Sequence, residues 1–308
     1  MPEKINNICF LKHSEIDKPR WDKSVKESIN RSIYAYSWYL DIVSPNWAAL
    51  ATPDYSELWP LPQDSKWGIS YVYQPFFTQQ LGLISKTEID RSRIECFWNK
   101  ICKKYNYAHL HLNVHNPKSG YDFETKRLTH WLDLQKPYEE LYKAYNENLK
   151  RNIKKANKNS VEVVSEGNIN HMIGWLKRDY NKLFKGIKSY HYDMLNQLLA
   201  ELDKRKCQHI YTAQINKEPV AMALFVKLDD QIIYLIGVNN EKGKKSGAMH
   251  LIFDQMIRQY AGAEVYLDFE GSMIPSIAQF FKSFGAEEKE FYQWHYNALP
   301  WPLNKIKK

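Results

Sequence analysis

Apolar positions along the chain switch repeatedly between helical spacing and strict alternation, so the sequence reads as helices and strands in turn. Met249, Ile252, Phe253, Met256, Ile257 and Tyr260 recur at three- and four-residue steps, predicting a helix with one buried face that ends near Gly262. It delivers a strand at 264–269. A further helix at about 275–284 stops at Gly285, the residue type favoured for a left-handed cap. Upstream, 209–215, 220–228 and 231–238 read as three strands whose connections, Asn216-Lys217-Glu218 and Asp229-Asp230, are short enough for antiparallel hairpins. A lysine-rich helix is predicted at 138–159, a strand at 161–164, and amphipathic helices at 170–184 and 193–204. In the first half the pattern predicts strands at 8–11, 47–51 and 109–114 and helices at 19–33, 35–43 and 87–105. The proline- and aromatic-rich stretch 53–77 suits turns and short strands.

The two halves echo one another. The helix-into-strand stretch with Phe97, Ile101 and His109-Leu-His-Leu-Asn-Val-His lies roughly 155 residues before Phe253, Ile257 and Val265-Tyr-Leu-Asp-Phe-Glu. Two mixed α/β domains are therefore expected, 1–136 and 137–308. Only the later copy has a Gly/Lys-rich turn ahead of its helix, which assigns the chemistry to the second domain.

Composition narrows the picture. Of 308 residues, 44% are hydrophobic and 25% charged, enough apolar material for a sizeable core, and wholesale disorder is excluded. With 43 Lys and Arg against 35 Asp and Glu, the formal charge of +8 admits a polyanionic partner without selecting one. Cys9, Cys96, Cys102 and Cys207 include no CxxC pair, so free thiols are expected rather than disulfides or zinc ligands. The longest uncharged apolar run, about 219–226, is too short to cross a bilayer. Met1-Pro-Glu-Lys-Ile-Asn-Asn lacks the order of a secretion signal, and a cytoplasmic location is expected.

Candidate chemistry concentrates in two strings. In Asn239-Asn240-Glu241-Lys242-Gly243-Lys244-Lys245-Ser246-Gly247-Ala248, a turn between strand and helix offers backbone N–H groups and lysines to a phosphate or pyrophosphate, the glycines allowing close approach. In Leu267-Asp268-Phe269-Glu270-Gly271-Ser272, two carboxylates end a buried strand, where α/β proteins commonly place ligands. His109, His111, Asn113 and His115 share a strand face. Without a carboxylate or cysteine to complete a ligand set, they read as a polar lining with a substrate contact at His111 and Asn113, and no metal is expected. Lys150, Lys154 and Lys158 form a helical stripe with Arg151 and Lys155 beside it, either a solvated face or a grip on phosphates.

Asp268-Phe269-x-Gly271 and Phe281-Lys282-x-x-Phe284-Gly285, after the strands and Gly-rich turn, resemble the second domain of Fem-type (FemABX-like) transferases within the GNAT superfamily. The segment Asn148-Leu149-Lys150-Arg151-Asn152-Ile153-Lys154-Lys155-Ala156 is similar to that domain's opening basic helix. Ser37-Trp38-Tyr39-Leu40-Asp41 and Gln74-Pro75-Phe76-Phe77-Thr78-Gln79-Gln80-Leu81-Gly82 resemble segments of the partner domain in tandem relatives. The resemblance implies two tandem GNAT domains, each a mixed, mostly antiparallel sheet flanked by helices, and transfer of an acyl or aminoacyl group to an amine acceptor. It implies a donor arm beside Ile236 and Val238, with its phosphates on the turn at Asn239, Lys242, Gly243, Lys244, Lys245, Ser246, Gly247 and Ala248. The donor is left as acyl-CoA or aminoacyl-tRNA. Lys282 is implied as the holder of the developing oxyanion. Glu270 or Asp268 can take the amine's proton, and Tyr292 or Tyr296 can protonate the leaving group. Lys150, Arg151 and Lys154 are the candidate substrate contacts on the basic helix, and the alternative is a catalytically silent module of the same fold that binds nucleic acid or another partner through the Lys150–Lys158 stripe.

Overall fold

Short polar side chains set where the helices begin: Asp17, Asp90, Asn146 and Asn240 each accept a backbone N–H from the first turn of the helix they precede. The structure is a computed structural model describing residues 7–183, 187–271 and 273–306. The predicted helix end at Phe184, together with Ser272, Lys307 and Lys308, lies outside the described residues. The chain divides into two compact units, Met1–Arg127 with Glu290–Lys308, and Leu128–Lys289.

The first unit runs β1 (Cys9–Leu11), α1 (Lys18–Glu27), α2 (Ser37–Val43), β2 (Ala48–Ala51), β3 (Glu57–Leu61), β4 (Gln63–Lys66), β5 (Ile69–Val72), β6 (Ile84–Ser85), α3 (Arg91–Cys102) and β7 (Tyr107–His111). β8 (Glu124–Asp133) then carries the chain into the second unit. There follow α4 (Tyr138–Ala144), α5 (Glu147–Lys158), β9 (Glu162–Val164), α6 (Ile169–Leu183), α7 (Ser189–Lys204), β10 (Gln208–Ile215), β11 (Glu218–Leu228), β12 (Gln231–Asn239), α8 (Glu241–Ser246), α9 (Ala248–Tyr260), β13 (Tyr266–Asp268) and α10 (Pro275–Lys282). β14 (Glu287–Asn297) returns to the first unit, and α11 (Leu303–Ile306) follows it.

The return has a physical cause. β14 pairs antiparallel with β7 from Gln293↔His111 to Asn297↔Tyr107, and Trp294, fully buried, packs 4.9 Å from Trp98 and 6.0 Å from Trp59 in the first unit's core. Where a division after residue 136 was expected, the first unit therefore ends at Arg127 and regains the C-terminal strand.

In the second unit the strands lie in the order β8, β13, β12, β11, β10, β9, antiparallel except for β12 with β13. Alternate residues of the central strands, such as Tyr211, Ala213, Ala221, Ala223, Phe225 and Ile232, join Leu149, Ile153, Phe253, Met256 and Ile257 of α5 and α9 in one apolar cluster. The intervening set includes Ile210, Thr212 and Met222, and the backbone leading into α6 at Gly167 lies directly against these three.

Several elements depart from the sequence pattern. The predicted helix 138–159 is two helices: the chain breaks at Tyr145, and Asn146 caps α5 while donating its own N–H to the Ser283 carbonyl. The helix expected to reach residue 33 ends at Glu27, because Ser28 leaves the helical conformation and the Asn30 side chain hydrogen-bonds the Leu83 carbonyl at 2.8 Å. The four cysteines are free, and no helix among the described residues is long and apolar enough to cross a membrane.

Candidate active site

β12 and β13 are paired only from Gln231↔Tyr266 to Ile233↔Asp268. β12 continues to Asn239 along β11, so the two parallel strands part after Ile233 and Asp268. A bulge helps them do so. Leu224 opposes Ile236 and Phe225 opposes Tyr234, which leaves Leu235 as the extra residue and bends β12 at the parting. Beyond it the ring of Tyr234 lies over Gly237, where a Cβ would meet its hydroxyl. Tyr234, Phe281 and Phe269 form a run of rings, with centroids 6.3 and 4.9 Å apart, from one strand to the other. Ile236 and Val238 are buried.

At the end of β13 the carboxylates occupy different environments. Asp268 is buried, and its Oδ1 accepts from Thr129 Oγ1 at 2.6 Å and from the Glu270 N–H at 2.8 Å. Burial outweighs these bonds and pushes its pKa up to about 6. Glu270 has φ 53°, a left-handed backbone rare for a non-glycine residue, and its Oε1 is buried without a hydrogen-bond partner among the described residues. Burial holds its pKa well above the usual carboxylate range. The next residue must be small: a Cβ on Gly271 would lie 2.0 Å from the Leu128 carbonyl oxygen and 2.3 Å from the Thr129 Cα. Thus β8 presses on this turn, and the glycine gives room to backbone.

Lys282, at the end of α10, places its half-exposed ammonium 2.7 Å from Glu288 Oε1. The same oxygen lies 3.8 Å from Nε2 of His130, a fully buried ring packed near Phe281. Burial and Lys282 push the His130 pKa down, while Glu288 raises it. On α9, His250 packs edge-on against Phe280 at 5.0 Å, its Nδ1 is buried without a partner among the described residues, and burial brings its pKa to about 4, so the ring is neutral at neutral pH. Thr129 and His130 were not singled out from sequence. Both sit on β8, whose polar Glu-Thr-Lys-Arg start masks strand alternation.

The Gly/Lys string takes a tighter form than the predicted turn. Residues 241–246 are helical, capped by Asn240, whose Oδ1 accepts the Gly243 N–H at 2.8 Å, and Gly247 links α8 to α9 with φ 81°. Gly243 packs against β11, since a Cβ there would lie 2.3 Å from the Val220 carbonyl oxygen and 2.2 Å from Asn239 Oδ1. Lys244 pairs with Glu241 at 2.7 Å and Lys242 with Glu218 at 3.6 Å. Ser246 Oγ donates to the Gly243 carbonyl, and Ala248 is buried. Glu241, Lys242, Lys245 and Ser246 nevertheless line an open hollow of about 550 Å³ with Ile215, with Lys155 of α5 and with its cap Asn159, so the structure joins two lysine-rich segments that are far apart in sequence. Lys150 is half-buried beside Glu147, 3.2 Å away, whereas Arg151 and Lys154 are exposed.

The remaining candidates belong to the first unit. His111 Nδ1 lies 2.9 Å from the Gln79 carbonyl, and burial, with His109 nearby, lowers its pKa to about 4. Asn113 is buried; its amide donates to the carbonyls of Leu81 and Leu83, and its Oδ1 accepts the His115 N–H. Tyr292 donates to Glu290 at 3.4 Å, and burial and that carboxylate raise its pKa. Tyr296 packs edge-on against Trp98. Among the described residues no group of three His, Cys, Asp or Glu is placed to hold a metal.

Residues 143–282 match the family model described as an acetyltransferase (GNAT) domain. Among solved structures the chain is similar to FemX, with a TM-score of 0.66 and 11% identity over 94% of this chain and 98% of that one. It is also similar to a tandem GNAT protein from the clavulanic acid biosynthesis pathway, with a TM-score of 0.54 and 10% identity over 95% and 99% of the two chains. A third similar structure is L-PGS from Bacillus licheniformis, with a TM-score of 0.54 and 12% identity over 94% and 95%. No curated protein sequence matches the chain. The fold is two GNAT-like domains in tandem, and residues 143–282 carry a domain of the GNAT acetyltransferase family.

Proposed function

We propose that the second unit transfers an acyl or aminoacyl group from a carrier to an amine acceptor, with Glu270 as the general base. The observation that carries this reading is the state of Glu270: a carboxylate on a left-handed backbone, one oxygen buried and unpartnered among the described residues, its pKa well above the ordinary range, at the point where two parallel strands part. A strained, desolvated carboxylate is costly to maintain unless it acts on something, and a raised pKa suits a base that works near neutral pH. The amine nitrogen attacks the carrier-borne carbonyl while its proton passes to Glu270, directly or through water. The tetrahedral oxyanion then collapses, the bonding pair leaves with the carrier's sulfur or oxygen, which takes up the proton held by Glu270, and the acyl–nitrogen bond remains. Asp268 holds the Glu270 N–H and so orients the base. Lys282, half-exposed on α10, exchanges Glu288 for the oxyanion. The hollow lined by Lys155, Lys242 and Lys245 suits the phosphates of either carrier, coenzyme A or the acceptor end of a tRNA.

The test is to incubate the protein with acyl-CoAs of several lengths and with charged tRNAs, following thermal shift and carrier release. The true donor at about 100 times its Kd stabilises the fold by roughly 2.7 kcal/mol. Glu270→Gln is expected to keep that shift and lose turnover. A protein that no donor stabilises, or a Glu270→Gln variant with wild-type turnover, defeats the reading. Salt-sensitive RNA binding without carrier release would favour the silent nucleic-acid module instead.

A further inference from the structure

The first unit exposes two tryptophans, 73% accessible at Trp67 and 79% at Trp301. Side chains this large are seldom left in water, and each calls for an occupant. Trp67 sits at the tip of the hairpin joining β4 to β5, where Lys66 pairs with Ile69 across a two-residue turn. Both turn residues have positive φ, 55° at Trp67 and 77° at Gly68. Such a turn favours Asn, Asp or Gly at both positions, so a bulky aromatic there is strained. The strain holds an indole at the outermost point of the hairpin. Behind it, Ile69, Tyr71 and Tyr107 meet Leu299 and Leu303 around a small hollow of about 90 Å³, which brings the segment carrying Trp301 to the same patch.

Charge indicates the occupant. The hollow's lining includes Lys66 and no carboxylate, and the Lys66 ammonium lies 4.7 Å from the Trp67 ring centroid. Lys305 is exposed just beyond Leu303. On the same hairpin Asp64 accepts from the Tyr71 hydroxyl at 3.3 Å. Indoles beside lysines match the amphipathic boundary of a bilayer, where rings sit at headgroup level and ammonium groups meet lipid phosphates. We infer that this patch docks the protein on an anionic phospholipid surface, with Trp67 and Trp301 entering the headgroup layer. This inference does not rest on the acyl-transfer reading.

The test uses the intact protein in flotation with vesicles of phosphatidylcholine alone and of phosphatidylcholine with phosphatidylglycerol in equal parts. The protein is expected to float with the anionic vesicles, with a blue shift in tryptophan emission. The double variant W67N/W301S is expected to lower partitioning about tenfold or more. Its melting temperature should not fall, because both side chains are exposed and Asn suits the left-handed turn position. Equal flotation of the variant would mean that the net positive charge alone attracts the vesicles, and would overturn the inference. So would a wild-type protein that stays in solution, including one that forms a concentration-dependent dimer dispersed by the double variant.

Discussion

Thr129 Oγ1 donates to Asp268 Oδ1 across 2.6 Å, and the same carboxylate oxygen receives the Glu270 N–H, so one buried atom ties β8 to the turn that carries the proposed base. Thr129→Val keeps the shape and removes the donor. Leaving a buried carboxylate short of a partner costs about 1–3 kcal/mol, to be read from urea denaturation. Combined with Asp268→Ala, which removes the acceptor, the two losses should be less than additive, since both variants break the same bond. Thr129→Ser should recover most of the stability.

The pH dependence of stability follows from the same residue. Burial raises the Asp268 pKa from 3.8 to about 6, so between about pH 4 and 6 the folded protein binds a proton that the unfolded chain has released. Stability therefore falls as pH rises through that window, by up to about 3 kcal/mol from this group. Glu270, raised in the same sense by burial, contributes a loss of the same sign. Denaturation midpoints for wild type and Asp268→Asn across pH 4 to 8 are the measurement, and the variant should show a flatter dependence between 4 and 6. An unchanged slope would mean that Asp268 titrates normally.

The string Asp268-Phe269-Glu270-Gly271 was legible because a buried strand ending in two carboxylates and a glycine is a local pattern. The helix from Met249 to Tyr260 and the hairpins of β10 to β12 were legible for the same reason, as their periodicity lies within a dozen residues. What holds the site was not. β8 reads as polar until Leu128, so Thr129 and His130 carried no signal, and their partners Asp268 and Glu288 lie far along the chain. Gly243 and Gly271 illustrate a second limit: sequence shows that a side chain is absent, but only packing shows whether the vacated space faces a ligand or, as here, the carbonyls of Val220 and Leu128.

Glycine positions give opposite expectations. Gly271→Ala drives a Cβ to 2.0 Å from a backbone oxygen that cannot rotate away, and should cost about 1–3 kcal/mol or more through displacement of β8. Gly174 is exposed within α6 and has nothing within 4 Å of a Cβ. Gly174→Ala should stabilise by about 0.5–1 kcal/mol through helix propensity. Thermal melts of the two single variants separate the cases.

Glu270→Gly sets stability against function. The left-handed backbone, φ 53°, costs a non-glycine residue roughly 1–2 kcal/mol, and glycine's greater entropy in the unfolded chain returns about 0.5–1 kcal/mol of that. Removing a buried carboxyl with an unpartnered oxygen adds to the gain. The variant is expected to melt at a higher temperature than wild type and to transfer no acyl group. A lower melting temperature would show that Glu270 holds the fold together.

Lys282→Met distinguishes a reacting ammonium from a surface ion pair. Lys282 and Glu288 are both about half exposed, and a pair in that setting contributes at most about 1 kcal/mol, so the melting temperature should barely move. The electrostatic effect falls on His130. Lys282 depresses the pKa of that ring and Glu288 raises it, so removing the lysine leaves the carboxylate unopposed and the His130 pKa should climb. NMR titration of the imidazole measures this without any substrate. If carrier release also collapses, the ammonium acts on the reacting carbonyl. If His130 shifts while turnover stays at the wild-type level, Lys282 is an ion-pair partner only, and oxyanion stabilisation must come from backbone N–H groups near the parting of β12 and β13.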